Sequence, residues 1–127
     1  MATIKIELQE GKDLPVLLKI RDLVMDSVVE SLRLHKDDRN IRIIEYKPEL
    51  FQMKAPYDVL IEISMFTGRS KETKKKLYQS IVNKLDIYGI FKKDSVFIII
   101  NEIAQENWGI LGGIPADEIK LDFNVNI

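Results

Sequence analysis

One short segment combines a glycine, a cation and a hydroxyl in an order that suits binding of an anion. Gly68, Arg69 and Ser70 lie where a predicted strand turns into a predicted helix. Main-chain amides at the start of a helix point outward and favour negative charge. The guanidinium of Arg69 adds a forked cation whose shape matches a carboxylate. The segment therefore indicates a carboxylate site, and an arginine exposed to solvent at a turn is the competing interpretation.

Other sites for chemistry lack the residues they need. His35 is the only histidine and cysteine is absent, so neither a His/Cys zinc site nor thiolate chemistry is predicted. A Ser-His-Asp triad would depend on His35, which stands in a predicted turn as a surface residue. Gly109, Gly112 and Gly113 do not separate a strand from a helix, so they do not form a phosphate loop. We therefore expect no metal and no cofactor.

Length and charge narrow the class of protein. The 127 residues fit a single domain over 1–127, and a net charge of −1 provides no field for a nucleic-acid partner. The basic run at Lys74–Lys76 is expected to be the solvated face of a helix. No apolar run approaches the ~20 residues of a membrane span, and residues 1–7 do not resemble a signal peptide. A cytoplasmic protein that avoids membranes is the expectation.

An ungapped internal repeat determines the predicted fold. Gly11 and Gly68 are 57 residues apart (68 − 11 = 57), and apolar residues match at the same offset through strand, helix and strand. The first repeat covers about residues 3–50, the second about 59–107, and a C-terminal extension covers 108–127. Matched pairs include Ile4 with Ile61, Ile6 with Ile63, Ile20 with Leu77, Val24 with Ile81, and Ile41 with Ile98.

Each repeat reads as a β-α-β unit. Period-2 alternation predicts the strands, and apolar stripes at helical spacing predict the helices, with Asp13 and Ser70 at their starts. Two right-handed units predict an α+β fold with a four-stranded sheet and both helices on one face. The other face is left bare, which favours self-association. Residues 121–127 alternate again, so they predict an added C-terminal strand, paired within the subunit or with a neighbour.

Several short motifs resemble the tautomerase superfamily, in particular its longer-chain group that includes malonate semialdehyde decarboxylase. The resemblance covers roughly residues 1–113. It is carried by the segment from Ile63 to Ser70, Asp37-Asp38-Arg39, Glu45-Tyr46, and the stretch from Asn101 through Trp108.

This resemblance implies a homotrimer with three sites at subunit interfaces that bind small keto acids. It implies that Arg69 holds the substrate carboxylate, that Asp38 holds or activates water, and that Trp108 and Ile110 wall the pocket. The family's catalytic amino-terminal proline is replaced here by Ala2. If Met1 is removed, Ala2 offers a primary amine with an ordinary pKa of ~7.7–8.0, which is still a usable base.

Two functions remain open from the sequence. One is a weak tautomerase in which Arg69 binds the carboxylate and the amine of Ala2 moves the proton. The other is a non-catalytic homotrimer that binds a small anion or serves as a scaffold. Trp108 could equally pack at an interface, and Asp38 could equally begin a turn.

Overall fold

The fold is built from four long strands and two helices, followed by a short hairpin. The computed structural model describes residues 1–127. In chain order the elements are β1 (Ala2–Gln9), α1 (Leu14–Leu32), β2 (Ile41–Tyr46), β3 (Val59–Phe66), α2 (Lys71–Ile87), β4 (Val96–Ile103), β5 (Gly109–Ile110) and β6 (Ile114–Pro115). The long strands form one sheet in the order β2-β1-β3-β4. The predicted α+β fold with a four-stranded sheet is confirmed.

The two β-α-β units are related by a pseudo-twofold axis. Strand β1 pairs in parallel with β2, and β3 pairs in parallel with β4, as each right-handed crossover requires. The equivalent strands β1 and β3 meet antiparallel at the centre. Lys5 and Glu62, which are repeat equivalents (62 − 5 = 57), face each other in that register and form an ion pair of 3.3 Å. The axis therefore passes between these two side chains.

The core lies between the sheet and the two helices. Alternate side chains of β1 and β3, such as Ile6 and Ile61, are fully buried against the apolar stripes of α1 and α2. Full burial of one such aliphatic side chain contributes about 1.5–3 kcal/mol. The side chain of Ser70 accepts a hydrogen bond from the amide of Thr73 and caps α2 as predicted, whereas Asp13 begins α1 without a side-chain cap bond.

The opposite face of the sheet has no helix over it. Phe97 and Ile99 of β4 are 37% and 36% exposed there, and Ile44 of β2 is similarly exposed. Charged residues near the axis, including Lys5 and Glu62, share this face. Apolar strips therefore flank a charged centre on the uncovered side. Neither helix is long and apolar enough to cross a membrane.

Residues 121–127 do not form the predicted C-terminal strand. The strands of the extension are β5 and β6, which pair only with each other. Exposure still alternates along 121–127, but this stretch runs past the start of α2 instead of along a sheet edge. The main-chain oxygen of Ile127 accepts hydrogen bonds from the hydroxyls of Ser70, at 2.8 Å, and Thr73. The prediction of a strand was wrong because the segment lies against the turn before α2, where no neighbouring strand pairs with it.

Candidate functional site

Arg69 is buried at the junction of β3 and α2. Its residue exposure is 4%, so it is not a solvent-exposed turn arginine. Its Nη1 donates a hydrogen bond of 2.9 Å to the carbonyl oxygen of Phe66, and its Cζ lies 5.5 Å from the ring centroid of Phe123. Its Nε and Nη2 are buried without any hydrogen-bond partner. The guanidinium therefore has two donors free for a ligand.

An unpartnered buried cation is a costly arrangement. Burial is the larger cause that lowers the pKa of Arg69, and the nearby carboxylate of Asp38 opposes it. Each buried donor without a partner costs about 1–3 kcal/mol, and more when it carries charge. A carboxylate could accept from Nε and Nη2 together in the bidentate geometry that guanidinium groups favour. The local chemistry thus favours an incoming anion.

The sheet register brings the N-terminus to the same place. Ala2 pairs with Met65 near the end of β3, so Met1 extends toward the turn that carries Arg69. The amino nitrogen of Met1 lies 3.6 Å from Oδ2 of Asp38. Its pKa is lowered from 8.0 to about 6, mainly because burial disfavours the charged form; Arg69 lowers it further and Asp38 raises it. At neutral pH this amine is therefore largely uncharged and able to accept a proton.

Asp38 is held in position by the turn that precedes β2. Nδ2 of Asn40 donates to Oδ1 of Asp38 at 3.2 Å and to the carbonyl oxygen of Ala2 at 3.3 Å. The neighbouring Arg39 points elsewhere and pairs with Asp26 at 2.9 Å on α1. The side chain of Asp38 is 16% exposed. The turn thus aims one carboxylate at the amine and ties the N-terminal strand to it.

An open cleft of about 390 Å³ adjoins the amine. Its walls include Met1, Asp38, Ile110, Asp122 and Phe123. The structure therefore brings Asp38 and Ile110 to one cleft, with Arg69 behind Phe123. A larger cleft of about 520 Å³ lies around Gly11 and Lys12, at the start of α1. It holds neither a buried guanidinium nor the N-terminal amine, and none of the predicted site residues.

Trp108 packs on Phe66 and is not among the residues that line this cleft. Its ring packs edge-on against Phe66 with centroids 5.0 Å apart, and its indole N–H donates to the carbonyl oxygen of Ile103 at 3.2 Å. The ring of Phe123 stacks on Phe66 at 6.0 Å. These aromatic contacts support the turn that buries Arg69.

Ala2 is fully buried in β1, and the free amine in this structure is that of Met1. No local pattern in the sequence marks Met1, Phe66, Asp122 or Phe123 as site residues. For Phe123, the alternation of residues 121–127 is the available signal, but alternation predicts a strand and not a site.

The chain is similar to several known proteins. A family model described as "Tautomerase enzyme" matches residues 38–111. The probable tautomerase YusQ of Bacillus subtilis (strain 168) is 26% identical in an alignment of 121 residues that covers 89% of this chain and 95% of that protein. The span of the family model, 38–111, contains Asp38, Arg69, Trp108 and Ile110.

Solved structures agree on the fold. FG41 malonate semialdehyde decarboxylase inhibited by 3-bromopropiolate has a TM-score of 0.82 at 25% identity, over 94% of this chain and 98% of that one. A symmetric trimer of wild-type fused 4-OT has a TM-score of 0.81 at 16% identity, over 91% of this chain and 96% of that one. The second likeness concerns the fold alone.

Proposed function

The chain belongs to the tautomerase enzyme family, and we propose that it moves a proton at the carbon next to the carbonyl of a small 2-oxo acid. One observation carries the proposal. A buried guanidinium with two unpartnered nitrogens, that of Arg69, stands near an amine whose pKa is lowered to about 6. The first group suits a substrate carboxylate, and the second suits general base catalysis near neutral pH.

The proposed reaction uses three groups of this chain. The substrate carboxylate accepts hydrogen bonds from Nε and Nη2 of Arg69. The uncharged N-terminal amine takes a proton from the carbon next to the carbonyl, and the C–H electron pair forms the enolate. The ammonium then returns a proton to the enolate oxygen, which gives the enol. Asp38, 3.6 Å from the amine, stabilises the ammonium in between.

The amine belongs to Met1 in this structure, and to Ala2 if the methionine is removed. Either is a primary amine in place of the family's proline, so we expect modest activity. Ile110 lines the cleft beside the amine, and we propose that it contacts the substrate. Trp108 acts as a positioning residue because it packs on Phe66, whose carbonyl holds Arg69.

The test is the keto–enol conversion of phenylpyruvate by wild type and Arg69→Met. We expect kcat/KM to fall about a hundredfold, equivalent to about 2.7 kcal/mol, because the variant loses a charged bidentate hydrogen bond. Lys12→Met is the matched control, since Lys12 is the repeat equivalent of Arg69 (69 − 12 = 57) and lies in the other cleft. Equal activity in all three proteins would contradict the proposal. Intact mass identifies which residue carries the amine.

A non-catalytic anion-binding protein is the second candidate, and the replacement of proline by Ala2 favours it. It predicts Arg69-dependent binding of malonate without any turnover of phenylpyruvate.

Under either function we propose a homotrimer. The uncovered sheet face supports this, because Phe97 and Ile99 are about one-third exposed on it.

A further inference from the structure

The C-terminal residues 121–127, hereafter the tail, lie directly over the arginine site. The carbonyl oxygen of Val125 would be only 2.9 Å from a Cβ placed on Gly68. The ring of Phe123 lies against the guanidinium of Arg69, and Ile127 is bound by the hydroxyls of Ser70 and Thr73. Nε and Nη2 of Arg69 are shielded from solvent in this arrangement. Because the ring of Phe123 lies over the guanidinium, an anion that approaches from that side meets the tail first.

The tail is attached far more weakly than the other elements at the site. Phe66 belongs to β3 and is fully buried in the paired sheet. In contrast, no residue of 121–127 is fully buried, and alternate residues are exposed. The amide of Asn126 donates only to the side chain of Asn124, at 2.9 Å within the tail itself. Segments with few buried contacts and few main-chain hydrogen bonds open most easily.

We propose that the tail is a strap that occupies the substrate-carboxylate site and lifts when an anion binds. This inference rests on the proposed function, because it assigns Arg69 as the anion's partner. In the closed state the ring of Phe123 covers the guanidinium, and the hydroxyls of Ser70 and Thr73 hold Ile127. An arriving carboxylate gains the two free donors of Arg69 and releases these contacts. Binding and strap opening are then linked, so the closed population weakens the apparent affinity.

The first experiment follows strap opening in the intact wild-type chain. Chymotrypsin cleaves after aromatic residues, and mass spectrometry reports the rate of cleavage after Phe123. We expect malonate to increase this rate at least threefold, because ligand binding lifts Phe123 from Phe66. A tail that only stabilises the fold would give the opposite sign, since a bound ligand then slows cleavage. Unchanged or slower cleavage while malonate is bound overturns the proposal.

The second experiment measures malonate affinity by calorimetry in a chain that ends at Lys120. If the population of the closed state is about ten times that of the open state, truncation lowers the dissociation constant about tenfold.

A pair of point variants gives the same comparison in the full-length chain. Gly68→Ala places a methyl group against Val125, whereas Gly11→Ala meets no atom within 4 Å, and the two glycines have similar φ angles of +138° and +129°. We expect tighter malonate binding in Gly68→Ala than in Gly11→Ala.

The outcomes separate the strap from the site it covers. Arg69-dependent binding by wild type, with unchanged affinity in the truncated chain and in Gly68→Ala, overturns the strap and keeps the site. If the truncated chain binds malonate and the wild type does not, both the strap and the arginine site are supported. Absence of binding in wild type, truncated chain and Gly68→Ala overturns both.

Discussion

Replacing Arg69 by methionine is expected to stabilise the ligand-free protein while abolishing its response to anions. Methionine keeps a long, flexible side chain but removes the charge and all donors. The variant therefore relieves the two unpartnered nitrogens, which together cost about 4 kcal/mol at the middle of the usual range. It also loses the hydrogen bond to Phe66, about 2 kcal/mol, and the contact with Phe123, about 1 kcal/mol. The net expectation is stabilisation by about 1 kcal/mol.

Malonate should reverse the order of stability of wild type and Arg69→Met. A ligand that binds only the folded state at a hundred times its dissociation constant stabilises that state by about 2.7 kcal/mol. Wild type should gain this amount and Arg69→Met should gain nothing. Wild type is then the more stable protein by about 1.7 kcal/mol in malonate, and the less stable by about 1 kcal/mol without it. The crossing of the two stabilities is the distinctive result.

The assay is equilibrium unfolding in guanidinium chloride, with and without malonate, at constant ionic strength. Lys12→Met is again the control. The Nζ of Lys12 lies 4.8 Å from the ring centroid of Phe91, so this variant should lose about 0.5–1 kcal/mol and still respond to malonate. A loss of more than about 2 kcal/mol in ligand-free Arg69→Met would show that the arginine is a structural group, because truncation of satisfied buried groups is costly. Equal stabilisation of both variants by malonate would place the anion elsewhere.

Four further results follow from the site and the fold. The rising limb of kcat/KM against pH should lie near 6, the pKa of the amine, and Asp38→Asn should move it to lower pH because Asp38 raises that pKa; an unmoved limb would exclude the amine as the base. Sedimentation equilibrium should give a trimer at micromolar concentration, weakened by Ile99→Lys on the uncovered sheet face; a stable monomer in wild type contradicts this. Ala2→Pro should raise phenylpyruvate turnover once intact mass confirms loss of methionine, and inactivity of both proteins would favour the binding function. Ser70→Ala should lower the free energy of unfolding by about 1 kcal/mol or more, because the variant loses the cap of α2 and the bond to Ile127; an unchanged unfolding midpoint would contradict this.

The fold could be predicted because its signals are local and repeated. Alternation in Ile4–Leu8 and in Ile61–Met65 specifies which side chains face the helices, and the fixed offset specifies that the two strands are equivalent. The structure pairs these strands antiparallel about Lys5 and Glu62, as a duplicated unit requires. The family was also predictable, because its motifs keep their order along the chain, and the match to residues 38–111 confirms it.

The site was predictable only as a set of residue types. The sequence predicts an anion-binding role for Arg69 and places Asp38 before β2. The register of β1 on β3 then brings the amine of Met1 beside Asp38 and close enough to Arg69 to feel its charge, which no local pattern specifies. The lowered pKa of the Met1 amine is likewise a tertiary property, because burial by distant segments is its main cause.

The course of the C-terminal tail is set by long-range contacts that a local sequence pattern does not contain. Alternation from 121 to 127 determined which side chains turn toward the protein, and exposure alternates as that pattern requires. Whether the main chain becomes a strand depends on a free sheet edge within reach, which is a long-range condition. Here Ile127 instead meets Ser70, 57 residues earlier, and the tail covers Arg69. Only the tertiary structure determined that the arginine is buried, because the residues that bury it are distant in the chain and approach it only after folding.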